Sequence, residues 1–77
     1  MDDQQLRPLS RVKAGETVTL TRVDAGRGLN TRLASMGLLP NVQIKVLSKG
    51  HPGPFVISVK DCRLMLGRGM ADKIMVV

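Results

Sequence analysis

TVTLTRVDAGRGLNTRLASMGLLPNVQIKVL, residues 17–47, contains two hydrophobic periods, and the switch between them sets the fold. Apolar and polar residues alternate from Thr17 to Val23. Val18 and Leu20 fall on one face and Thr17, Thr19 and Thr21 on the other, the period of a half-buried strand. Ala25-Gly26-Arg27-Gly28 breaks that alternation. Leu29, Leu33 and Met36 then recur at helical spacing with Arg32 and Ser35 opposite, which predicts a short helix over residues 29–36. Asn30 and Asp24 are the two candidates for its N-cap. Gly37 suits a left-handed C-terminal cap, and Pro40 stops the helix from resuming. Val42, Ile44 and Val46 then alternate with Gln43, Lys45 and Leu47 in a second strand.

Working outward, Pro8 to Val12 reads as a helical turn that sets Leu6, Leu9 and Val12 on one face. A turn at residues 13–16 follows, with Gly15 free to take positive φ. On the C-terminal side, residues 49–54 (Lys-Gly-His-Pro-Gly-Pro) form a loop that no strand can cross. Residues 55–60 read as the third strand, Asp61-Cys62 as a hairpin turn and residues 63–66 as the fourth strand. Residues 67–72 suit a helical turn, and 74–77 the last strand. The pattern predicts a mainly β fold, a small closed barrel of about five antiparallel strands with one short inserted helix and short helical turns. Closure would remove sheet edges that a chain of 77 residues has little material to cover. Parallel βαβ architecture is disfavoured, because only one connection has room for a helix.

The length suits a single domain over residues 1–77, with only roughly 60% of the unfolded surface buried on folding. Hydrophobic residues make up 43% of the chain, and Phe55 is the only aromatic, so the core must be aliphatic. The longest uncharged run, residues 33–44, is interrupted by Ser35, Pro40, Asn41 and Gln43, and no transmembrane segment is expected. An acidic, polar N-terminus and a single cysteine point to the cytoplasm. Twelve Lys and Arg against six Asp and Glu give a net charge of +6, spread from Arg7 to Lys73 without a basic run. Such a chain could face nucleic acid, anionic lipid or an acidic protein, or use the charge for solubility.

Residues 32–40, Arg-Leu-Ala-Ser-Met-Gly-Leu-Leu-Pro, resemble the R-L-x-x-M-G-L-x-P signature of FeoA-type domains. Gly53-Pro54-Phe55-Val56-Ile57-Ser58-Val59 is similar to the G-P-hydrophobic strand of that family, and residues 64–76 to its closing L-x-L…A-x-x-I-x-V stretch. The opening from Leu9 to Ala14-Gly15-Glu16 also fits, so the likeness runs from about Leu6 to Val77. Asn41 departs from the usual glycine after the proline, a position where Asn tolerates left-handed backbone. The resemblance implies an SH3-like barrel acting in ferrous iron uptake beside the FeoB membrane transporter, whose cytoplasmic part hydrolyses GTP.

No catalytic set stands out. One His and one Cys, no Tyr or Trp, and no Ser-His-Asp or paired carboxylates leave little for an enzyme. Gly26-Arg27-Gly28 and Gly67-Arg68-Gly69 match neither a Walker loop nor G-x-G-x-x-G. His51 and Cys62 are the weak candidates for a metal site, but the strand between them rises about 3.3 Å per residue and holds them apart. No bound cofactor is expected, and Fe(II) enters only through the pathway. Met36, Met65, Met70 and Met75 read as core gap-fillers. Arg27, Arg32 and Arg68 form a basic group, and Leu38-Leu39 beside the first two make an apolar element of which one leucine can tuck inside. Arg27, Arg32, Leu38 and Leu39 are therefore the candidate partner surface, an apolar patch rimmed by Arg.

Two functions compete. One is a cytoplasmic accessory protein that docks on the FeoB-type transporter, held at the inner face of the membrane through that partner. The other is a basic small-barrel nucleic-acid-binding domain, or one like the C-terminal barrel of metal-dependent repressors. Stable nucleic-acid binding is not expected, because stacking needs exposed aromatics.

Overall fold

The computed structural model describes residues 5–50 and 53–77, which form one antiparallel sheet with two short helices. The elements run β1 (Arg7–Pro8), a 3-10 turn (Leu9–Arg11), β2 (Thr17–Val23), α1 (Arg27–Ser35) and β3 (Gln43–Ser48). Then follow β4 (Phe55–Val59), β5 (Cys62–Leu66), α2 (Arg68–Ala71) and β6 (Ile74–Val76). In space the strand order is β1-β6-β2-β3-β4-β5.

β2 organises the sheet by changing neighbours along its length. Its first half pairs with β3 (Thr17 opposite Lys45, Thr19 opposite Gln43), and its second half with β6 (Leu20 opposite Val76, Val23 opposite Ile74). A register shift between Leu20 and Arg22 accompanies the change, as expected where a strand turns the corner between two half-sheets. Val18 and Leu20 are buried and Thr17 and Thr21 exposed, as the alternation predicts. With Ile44, Val46, Phe55 and Ile57 they form one apolar core containing no buried charge among the described residues.

The end of α1 is fixed by a Schellman motif. The Gly37 amide donates to Ala34 O at 3.0 Å and the Leu38 amide to Leu33 O at 2.9 Å. Gly37 has φ +95°, where a side chain would be strained. The motif sets Leu38 over Leu33, and both are buried. Asn41 takes φ 75° and carries the chain into β3.

The structure departs from the sequence expectation in several places: α1 runs Arg27–Ser35 rather than 29–36, and Leu6 is exposed while Leu9 and Val12 are buried. A sixth strand, β1, pairs Arg7 with Val76 and Pro8 with Met75 where only a helical turn was expected. The barrel is not closed by a ladder: β1 pairs with β6 and β5 with β4, and among the described residues no pairing joins the two ends. β1 is two residues long and contains Pro8, which lacks an N–H, so it has little to offer a further strand. The β4–β5 turn is Lys60-Asp61, both with positive φ (49° and 68°), and Cys62 begins β5 opposite Val59. The N-cap of α1 is Gly26, neither Asn30 nor Asp24. Finally, Met65 is exposed on the outward phase of β5, and Met36 is exposed as the C-cap residue just past the last turn of α1; Met70 and Met75 are half-buried.

Candidate interaction site

The end of β2, the flank of α1 and the chain following it enclose an open groove of about 360 Å³. Leu20 and Leu38 form its floor; Leu39 and Pro40 form one wall, and Thr31 and Ala34 of α1 the other. Leu39 remains 46% exposed at the rim. The Asn30 amide nitrogen holds α1 in place by donating to Ala25 O at 2.9 Å, with Val23 O and Gly26 O also within reach. Arg22, on the same rim, donates to Asp24 at 2.7 Å, and this hydrogen bond makes its guanidinium hold its proton more firmly than usual. Asp24 is thereby engaged by Arg22.

The sequence candidates divide around this groove. Leu39 lines it from outside, whereas Leu38 is 2% exposed and belongs to the floor and the core. Arg27 opens α1 and shares a helix face with Asn30, Thr31 and Ala34, which places it at the groove's end. Arg32 follows it by five residues, a turn of about 140° on the helix, and faces away from the groove. Arg68, at the start of α2, donates to Gly50 O at 2.8 Å and pins the loop before β4 instead. Sequence reasoning missed Arg22, Asn30 and Thr31, polar residues whose pattern resembles ordinary solvated surface.

His51 lies outside the described residues, and Cys62 is exposed on β5. Among the described residues no three His, Cys, Asp or Glu side chains gather. Among the described residues no helix is long and apolar enough to cross a membrane.

At the opposite end of β2, Arg7 donates to Glu16 at 2.6 Å and the Lys13 amide does so at 3.1 Å. These bonds, led by the one from Arg7, hold the Glu16 carboxyl below its ordinary pKa. A carboxylate with a lowered folded-state pKa stabilises the fold above its unfolded pKa, and this contribution is lost as pH falls through the folded value. Arg7→Ala should therefore melt below the wild type at neutral pH, and the gap should shrink once pH drops below the ordinary glutamate range. Thermal melts across that range, showing a gap independent of pH, would refute this role for the pair.

The strand order, inserted helix and open groove define a small antiparallel domain of the SH3-like class. The FeoA domain model matches residues 7–77, and the chain belongs to that family. The "Putative Fe(2+) transport protein A" of Methanocaldococcus jannaschii is 44% identical over 69 residues, covering 90% of this chain and 83% of that one. The crystal structure of an iron uptake regulatory protein, FeoA, superposes with a TM-score of 0.86 at 34% identity, covering 96% and 97% of the two chains. A manganese-dependent transcriptional repressor also superposes, with a TM-score of 0.83 at 27% identity, over 94% of this chain but 41% of the repressor. The zinc-complexed FeoA of Stenotrophomonas maltophilia, described as a prokaryotic SH3 domain protein, superposes with a TM-score of 0.79 over 91% and 88% of the chains. At 20% identity, that likeness concerns the fold alone. The chain is thus a member of an Fe(2+) transport accessory family.

Proposed function

We propose that this protein is a non-enzymatic, cytoplasmic accessory factor of ferrous iron uptake that docks through the α1–β2 groove on the cytoplasmic part of an FeoB-type transporter and modulates transport. The observation that carries this reading is the groove itself, an apolar floor with a half-exposed leucine at its rim and arginines beside it. Interfaces concentrate their energy in such apolar anchors, while rim charges set encounter rate and register. The nucleic-acid alternative loses support because Phe55 is 1% exposed and offers no base a stacking surface.

The test is capture of the transporter from detergent-solubilised membranes, together with iron uptake in cells. Leu39→Ser should weaken capture about thirtyfold, the loss of roughly 2 kcal/mol typical of a central anchor, and should impair uptake. Arg27→Glu should weaken it more at low salt than at physiological salt, where screening acts over about 8 Å. Arg32→Glu, facing away, should do less. Wild-type capture and uptake by both folded Leu39→Ser and Arg27→Glu would place the docking surface elsewhere.

A further inference from the structure

The outer face of β3–β5 and the free edge of β5 lie away from the groove, and the proposed docking does not use them. Met65 is 71% exposed and stands opposite the half-buried Val56 in the β4–β5 register. Leu47, 38% exposed, adjoins Ser48, the residue opposite Val56, at the register shift of β3. This apolar row runs beside a basic one: Arg63 is opposite Ser58, and Ser58 is opposite Lys45, with both cationic side chains exposed. Lys60 extends the positive charge into the turn, where Asp61 is the only acidic side chain of the hairpin.

The backbone of β5 adds direction to this patch. In a hairpin closed by a two-residue turn, the residues flanking the turn form a hydrogen-bonded pair, and such pairs alternate along the ladder. Val59 with Cys62, Ile57 with Leu64 and Phe55 with Leu66 are therefore the hydrogen-bonded pairs. The N–H and C=O groups of Arg63 and Met65 point away from β4, and β5 has no other neighbour among the described residues.

We propose that this edge binds an extended segment of a partner protein that adds to β5 as an antiparallel seventh strand. The segment carries an apolar residue opposite Met65 and an acidic residue two positions later, opposite Arg63. Main-chain bonds would supply the pairing and the two side-chain rows the selectivity. Charge favours this occupant over a second copy of the chain: an edge-to-edge dimer would bring Arg63 and Lys60 of two molecules together with only Asp61 to offset them.

The test is titration of the 15N-labelled protein with the synthetic peptide Ac-Glu-Thr-Leu-Val-Glu-Thr-Glu-NH2 and a control with Lys at each Glu. The acidic peptide should shift the Arg63 and Met65 amides and slow their hydrogen exchange, while Thr31 and Leu39 at the groove stay unmoved. Arg63→Glu should weaken its binding about fivefold, the scale of one cross-strand charge pair. Equal binding of the Lys peptide, perturbation confined to the groove, or no response at millimolar peptide would each overturn the proposal. Concentration-dependent association of the free protein through β5 would replace the partner strand with a second copy.

Discussion

Leu38→Ala should lower the unfolding free energy by about 2–5 kcal/mol, while Leu39→Ser, one residue on, should change it by no more than about 0.5 kcal/mol. The contrast follows from the Schellman motif. Its hydrogen bond from the Leu38 amide to Leu33 O turns the Leu38 side chain inward onto Leu33, and the chain then carries Leu39 out to the groove rim. Truncating Leu38 leaves a cavity between α1 and β2 that the fixed cap hinders from collapsing. A domain of 77 residues holds about 4–12 kcal/mol in total, so this loss is a large fraction of it. Urea unfolding of both variants is the measurement. If Leu39→Ser proves as destabilising as Leu38→Ala, Leu39 has a structural role and the groove loses its anchor.

Phe55→Ala should be the more damaging change, at about 3–5 kcal/mol, a large fraction of the total stability. Phe55 is the only aromatic residue, is 1% exposed, and begins β4 opposite Leu66. No other side chain of comparable volume is available to fill its place. Lys49 covers it, with its ammonium nitrogen 6.0 Å from the ring centroid, so the ring also supports the exit from β3. Phe55→Leu, which keeps most of the volume, should cost about 1.5 kcal/mol or less. Wild-type urea midpoints for Phe55→Ala would show that the aliphatic residues alone sustain the core.

Much of the fold was legible because the chain is locally consistent. The Thr17–Val23 alternation gave β2 its bounds and its inward face, and Gly37 marked the helix end through its left-handed backbone. Other features left weaker traces. β1 is two residues containing a proline, too short for any period to register. The turn at Lys60-Asp61 places two non-glycine residues at positive φ, against their intrinsic preference, so residue type does not mark its position. The groove was half legible. Leu39 and Arg27 could be named from the stretch around the helix, but Arg22 and Thr31 join them only through the packing of α1 beside β2. The inward turn of Leu38 and the outward turn of Arg32 depend on angles that spacing in the sequence does not specify.

The position of β6 has a consequence for how the chain is made. Ile74–Val76 is inserted between β1 and the second half of β2, two segments synthesised much earlier. As the chain emerges β3, β4 and β5 can be added to β2 in turn, because each pairs with the strand just before it. The second half of β2 and all of β1 must wait, with their hydrogen-bonding edges open, until residues 74–76 clear the exit tunnel. Pairings of such long sequence separation are also the slow ones to form. The sheet therefore completes late, and a chain truncated before Ile74 would carry the β2–β5 meander with an unsealed strand that other chains can capture.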